Sequence, residues 1–332
     1  LMASYARRLQ KIGSSMLISL PANWVRQNQL KKGDTILMEL SNDNSIAILP
    51  SKERNGIIRG FGIDYPARVV DILINQLFGA YLLGYDNIKI NARAPIDYED
   101  REKILTATGK LVGLEIVDED SLNINFQFLI DVSSLDAAKI LRRMNAIIKG
   151  MMRDGLKAIV NKDTKIIKLI VRRDDEIDRQ YFLLVRLIRS AMLNQRIARK
   201  LNLSNIDILD YRVAASHLES AGDYVSEFSS SVPKLWGTGF GNEIVEAGMI
   251  VDNMQHRAIS AFIAKDNLLS EDVVRMYLKF SNLSASIKEK STKGPADPHI
   301  SILNCVYSMD RIAKCWVDIA DLVKPGYPKS QI

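Results

Sequence analysis

Four acidic side chains are set apart by their spacing. Asp174 and Asp178 lie four residues apart, and so do Glu219 and Asp223. In a helix each pair would share one face. Like charges at that spacing cost a helix about 0.2–0.5 kcal/mol per pair, so keeping two pairs needs compensation. If the two faces meet, four carboxylates converge on one cation. Oxygen-only donors suit hard ions such as Mg²⁺, Mn²⁺, Ca²⁺ or iron better than zinc. One pair alone reads as a solvated face, with Asp174 to Glu176 as favourable charge near a helix start. Other ligand chemistry is sparse: His217, His256 and His299 are scattered, and Cys305 and Cys315 sit ten residues apart in a helical pattern.

Catalysis is not expected from these groups. Four helical carboxylates can hold two reactive metals, but such sites usually add histidine at Glu-x-x-His spacing, which does not occur here. No motif brings a histidine to a serine or cysteine. Gly237-Thr238-Gly239-Phe240-Gly241 follows no strand, so it reads as a loop between helices and not as a phosphate cradle.

The elements that must carry the acids are helical. From Ser133 to Val323 apolar residues recur every three to four positions, with breaks near 161–164, 202–207, 232–241, 266–270 and 293–298. Six long helices follow, at about 134–160, 168–200, 208–231, 242–265, 270–290 and 300–323. Short loops between long helices give antiparallel bundles. The acidic pairs fall on the second and third helices, where Gly222 would let a neighbouring backbone come close. Laying the third helix on the sixth at an offset of 91 matches Leu218 with Met309, Ala221 with Ile312, Val225 with Trp316 and Glu219 with Asp310. The chain therefore reads as two three-helix units. In the second unit Lys314 replaces the second acid, and Glu271 and Asp272 face Arg275 and Met276. One metal site is expected, in the first unit only.

Ahead of the helices lie two smaller segments. Residues 7–50 read as short strands around one helix: a Gly13-Ser14-Ser15 turn, then Pro21 opening a helix with Ser19 as cap. Trp24, Val25 and Leu30 form its buried side. Strands at 35–40 and 45–49 flank a Ser41–Asn44 turn. So small a core needs a second copy to complete it. Residues 60–130 read as a small α/β segment: helix 67–83, strand 88–91, helix 97–111 and a strand pair at 115–117 and 122–128. No chemistry gathers there, and it reads as a spacer.

Composition bounds the rest. At 332 residues, 47% hydrophobic and 25% charged, the chain is a soluble protein of two or three domains. It has no run long enough to span a membrane. The start, Leu1 to Arg8, lacks signal-peptide features, and two cysteines fit a reducing, cytoplasmic setting. Of a net charge of +6, residues 1–59 carry +5, nine bases against four acids. This is the footprint of a polyanion partner.

Two family resemblances join these parts. Lys11-Ile12-Gly13, Leu17-Ile18-Ser19-Leu20-Pro21-Ala22-Asn23-Trp24 and Leu30-Lys31-Lys32-Gly33-Asp34-Thr35-Ile36 resemble the AbrB/SpoVT swapped-hairpin DNA-binding domains. That likeness implies a homodimer and DNA contact through Arg7, Arg8 and Lys11, with Arg26 a weaker candidate. Many members carry arginine after the glycine where this chain has Ser14, which argues against strong sequence-specific reading. Leu218-Glu219-Ser220-Ala221-Gly222-Asp223 and Asp174-Asp175-Glu176-Ile177-Asp178 resemble the PhoU family of phosphate-signalling proteins. It implies two three-helix repeats with metal held by (E/D)xxxD carboxylates, here Asp174, Asp178, Glu219 and Asp223.

The combination resembles archaeal PhoU-like regulators. The expected fold is mainly α with a small β part: a swapped-hairpin domain at 1–59, an α/β segment at 60–130 and a PhoU-like region at 131–325. Its repeats fall at about 133–231 and 242–323. The expected function is a DNA-binding, metal-binding regulator of phosphate uptake. The alternative is an adaptor that has lost DNA binding and contacts a phosphate transporter or sensor kinase.

Overall fold

The computed structural model describes residues 5–40, 46–50, 59–66, 69–201, 203–293 and 296–323. Contacts divide the chain into two units that meet between residues 58 and 59.

In the first unit, β1 (Gln10–Ile12) and β2 (Ser15–Leu17) pair antiparallel with Lys11 opposite Met16. The reversal falls on Gly13, whose φ of 63° suits glycine. Helix α1 (Ala22–Gln27) starts after Pro21, with no side chain capping it. Ser19 is therefore not the cap expected: it lies two residues ahead of the cap position, which Pro21 takes. The Lys31–Asp34 turn closes through the Lys31 N–H donating to the Asp34 carboxylate at 2.8 Å. A second hairpin joins β3 (Ile36–Leu40) to β4 (Ile46–Pro50); the Ser41–Asn44 turn lies outside the described residues. Trp24, Val25 and Leu30 are only half-buried, and no described residue between 5 and 50 is buried. Leu9, Ile12, Met16, Leu37, Met38 and Leu40 are all exposed.

The second unit starts with a four-stranded sheet, β5 (Gly60–Tyr65), β6 (Asn87–Ala92), β7 (Leu114–Glu119) and β8 (Asn123–Phe128). Its order is β5-β6-β8-β7, with β5 parallel to β6 and the other pairs antiparallel. Strand β5 was not anticipated, although Phe61, Ile63 and Tyr65 alternate with polar or small residues as a half-buried strand should. Helices α2 (Val70–Leu82) and α3 (Tyr98–Thr108) cover the sheet. Ile63, Leu73, Leu77, Tyr81, Ile90 and Phe126 make the core between them.

The bundle comprises α4 (Ala137–Asn161), α5 (Thr164–Leu193), a short α6 (Gln195–Lys200), α7 (Asn205–Ser231), α8 (Gly241–Ala264), α9 (Asn267–Ser291) and α10 (Ala296–Asp321). The long helix expected to reach residue 200 ends instead at Leu193, because Asn194 is extended (φ −139°, ψ 105°). Asn202, in the expected break, lies outside the described residues. Helices α4, α5 and α7 pack as one triple and α8, α9 and α10 as another. They meet along α4–α8 and α7–α10, where Arg153 reaches Asp252 and Gln255 donates to Asn145.

The α/β layer is fastened to the bundle by one buried arginine. The guanidinium of Arg186, on α5, donates to the carbonyls of Tyr81 and Tyr85 at 2.8 Å each and to Asp86 at 3.2 Å. It lies 3.9 Å from the Phe128 ring centre. Gly84 makes room for the join: a β-carbon there would stand 2.6 Å from both Arg59 and Ser190. Arg186→Met keeps the volume but removes the arginine's bonds to Tyr85, Tyr81 and Asp86, of which Tyr81 keeps the Gly84 N–H and Asp86 the Arg59 N–H. The expected loss is about 2 kcal/mol of stability, read as a lower denaturant midpoint.

Candidate metal centre

The two acidic pairs meet. Helices α5 and α7 pack along one another with Gly222 at their contact, where a β-carbon would stand 2.7 Å from Ile177 Cδ1 and 3.4 Å from Asp174 Oδ1. The glycine thus admits a side chain from α5, not the backbone expected from the sequence. Asp174 carries the largest consequence. Partial burial, then the charges of Asp223, Asp178, Asp175 and Glu219, push its carboxyl up to about 6. Burial followed by Asp223 and Asp178 raises Glu219, and burial followed by Asp178 raises Asp223. The charges of the four acids act on one another across the α5–α7 contact.

Their neighbours are largely accounted for. Glu176 is held by Arg143 at 2.8 Å and by Gln180 at 2.9 Å. Asp178 shares Lys110 with Asp175, at 3.3 Å and 3.0 Å. Among the described residues, Asp174 and Asp223 have neither an ion-pair nor a hydrogen-bond partner. Lys110 lies just past α3 in the segment read as a chemically silent spacer, so that reading is corrected: the α/β layer sends a cation to the acidic face. No motif marked this lysine, because only the docking of that layer against α5 brings it there.

The fit to a metal has two sides. The donor chemistry suits a hard cation, and Lys110, paired with Asp175 and Asp178, leaves Asp174 and Asp223 without an ion-pair partner among the described residues. The geometry is not closed, since among the described residues no group of three or more acids, histidines or cysteines stands close enough to hold an ion. A bound cation would have to draw these side chains inward.

The second repeat shows what replaces them. The turn between α4 and α5 has Lys162 at φ 54° followed by Asp163, which caps α5; the turn between α8 and α9 has Lys265 at φ 53° followed by Asp266, which caps α9. This offset of 103 lays Asp174 on Tyr277 and Asp178 on Ser281, so Glu271 and Asp272 are not the counterparts. The offset of 91 lays Glu219 on Asp310 and Asp223 on Lys314. Tyr277 Oη donates to Asp310 at 3.0 Å and Lys314 Nζ sits 2.7 Å from the same carboxylate. The corresponding place is closed by a hydrogen-bonded tyrosine–aspartate–lysine set, with its charge already balanced.

In the first unit Arg7 and Arg8 precede β1, Lys11 lies on it and Arg26 on α1; all four are exposed. Arg26 is partly engaged, donating to Asn23 at 2.7 Å, while Arg7 lies 5.6 Å from the Tyr5 ring centre.

Two three-helix repeats, with an acidic face on the first and a small β-rich unit ahead of them, define a class of helical-repeat proteins. The PhoU domain model matches residues 141–232 and 244–323, together just over half of the sequence. The chain belongs to the PhoU family. Residues 9–56 match the model for antidote-toxin recognition MazE, a bacterial antitoxin, over the segment that resembles AbrB/SpoVT. No curated protein matches the chain. Among solved structures, PhoU from Pseudomonas aeruginosa is similar at 20% identity and a TM-score of 0.46, covering 56% of this chain and 93% of its own. The phosphate transport system regulatory protein PhoU from Streptococcus pneumoniae is 16% identical with a TM-score of 0.45, over 56% and 91%.

The raised Asp174 carboxyl makes a prediction for metal-free protein. Folded, it takes up its proton near pH 6, above the value of 3.8 from which it is shifted. The folded chain therefore binds more protons between these values, and stability rises as pH falls through that window. In chelator, Asp174→Asn is expected to exceed wild type by about 1 kcal/mol at neutral pH, after solvent screening. Thermal melts should show that gap closing as the pH approaches 4.

Proposed function

We propose that this chain is a cytoplasmic, phosphate-responsive regulator that holds a divalent or iron-type ion on its α5–α7 face and grips DNA with its first unit. The observation that carries the reading is the acidic face: among the described residues Asp174 and Asp223 have no cation, while the second repeat supplies Lys314 to its own aspartate. Asp174, Asp178, Glu219 and Asp223 would hold the ion, with Asp178 giving up its share of Lys110. The ion would supply positive charge that turns repulsion between two helices into attraction. PhoU family membership supports a role in phosphate homeostasis, and supports a regulator over an enzyme. Among the described residues no helix is long and apolar enough to cross a membrane.

The first unit supports the DNA half of the reading. A hairpin pair with no buried described residue and a row of exposed aliphatic side chains needs a second copy to form a core. Pairing would bring two sets of Arg7, Arg8 and Lys11 together, doubling the local positive charge that duplex phosphates meet. Arg26, tied to Asn23, is the weaker contact. The binding would be general more than base-reading, since Ser14 follows Gly13.

A second reading is favoured by the MazE match, whose description is one of toxin recognition. In it the first unit contacts protein, and the chain acts as an adaptor on a phosphate transporter or sensor kinase.

Two measurements test these readings. Elemental analysis of purified protein is expected to find one ion per chain, lost in Glu219→Ala/Asp223→Ala; an equal content in both removes the metal half. Duplex binding should fall steeply with salt, and Arg7→Ala/Arg8→Ala should flatten the log–log slope by about 2 per chain. Absence of duplex binding at low salt leaves the adaptor.

A further inference from the structure

Beyond the first unit the chain is nearly neutral in sum, but the sum hides a segregation. Residues 137–173, the α4–α5 hairpin down to the acidic face, hold eleven lysines and arginines against two acids, a net +9. The two acids are already used: Asp154 pairs with Arg173 at 2.6 Å, and Asp163 accepts backbone N–H groups at the start of α5. Lys139, Arg142 and Lys149 on α4, with Lys165, Lys168 and Arg172 on α5, have no ion-pair partner among the described residues. Lys139 and Arg142 stand three residues apart and Lys165, Lys168 and Arg172 three and four apart, all exposed, with the half-buried Lys149 one heptad after Arg142; they lie opposite the buried Met144, Ile148 and Met151 of α4 and Ile167 and Ile170 of α5. Cations so spaced on one helix repel, and ordinary protein surfaces intersperse the two signs.

We propose that the outward face of the α4–α5 hairpin is a second nucleic-acid surface, one that holds duplex phosphates without reading bases. Its length suits the task. Lys139 to Lys157 spans about 27 Å at 1.5 Å per residue, close to eight base pairs at 3.4 Å each. Its composition points away from a lipid surface: no aromatic residue occurs between Phe128 and Tyr181, and membrane-lying helices anchor through Trp and Phe as well as Leu. The exposed apolar residues nearby, Val160, Leu169 and Val171, are single aliphatic side chains. The face also works independently of the acidic centre, since Asp174 onwards lies past its end.

The test uses the full chain and a random-sequence duplex, with affinity followed from about 50 to 200 mM salt. Arg142, Lys168 and Arg172 are exposed, so Arg142→Gln/Lys168→Gln/Arg172→Gln should fold as wild type, checked by thermal melting. At about 0.9 in slope per phosphate contact, the triple variant should flatten the log–log slope by about 2.7 per chain, a loss of about 40-fold in salt sensitivity over that range. Arg142→Lys/Arg172→Lys, which keeps the charge, should retain the wild-type slope. Arg7→Ala/Arg8→Ala/Lys11→Ala should leave binding that the glutamine variant then removes. A glutamine variant with the wild-type slope overturns the proposal while leaving DNA binding by the first unit intact. Wild-type binding that the Arg7/Arg8/Lys11 variant leaves unchanged, and the glutamine variant abolishes, removes the first-unit reading and keeps this one. Capture of the chain by phosphatidylglycerol vesicles with no duplex binding overturns it in favour of a membrane.

Discussion

Carboxylates on two helices that must pack together repel one another, and that repulsion organises much of the second unit. Helix α5 cannot leave α7, because Ile177 fills the space over Gly222 and the buried apolar residues of both helices depend on the contact. The acids beside that contact are therefore held near one another whatever their charge. Three remedies are visible within one chain. Protonation is made easier at Asp174; Lys110 is brought from another layer to Asp178; and in the second repeat a lysine and a tyrosine are written into the sequence. A bound cation would be a fourth, and the only one able to relieve Asp174, Glu219 and Asp223 together.

Helix α5 also explains why the layers form one unit. Along its length the charge changes character: a basic stretch through Arg173, an acidic cluster from Asp174 to Asp178, and then Arg186, buried under the sheet. Burial pulls that guanidinium down to about 10, which still leaves it charged at neutral pH. Its partners are the Tyr81 carbonyl at the end of α2, the Tyr85 carbonyl in the turn that follows and the Asp86 carboxylate, so the turn and the arginine hold each other. Lys110 meets α5 at Asp178, about two turns before Arg186 leaves the same helix for the α/β layer. The sheet is thus pinned at one point and touches the acidic cluster at another.

Much of this was legible in the sequence for physical reasons. The long helices announce themselves by period, and two acidic pairs at four-residue spacing announce one face each; that the faces meet followed only from the repeat and the PhoU resemblance. What was not legible depended on tertiary position. Lys110 carries no local signal, and β5 hides behind two glycines that dilute its alternation. Glu271 and Asp272 are the acids α9 shows in sequence, but the turns at Lys162 and Lys265 set a register that lays Asp174 on Tyr277. The positive charge was credited to the first 59 residues because a net sum conceals the separation of opposite signs inside α5.

Those two turns carry a further meaning. A left-handed residue outside glycine is uncommon and strained, and a glycine would serve either turn with less cost. That both turns use lysine there, each followed by a capping aspartate, makes the two hairpins the same local device, and the halves differ at the acid-bearing positions and not at the hinge. The tyrosine and lysine of the second half hold its aspartate with groups the helices themselves carry.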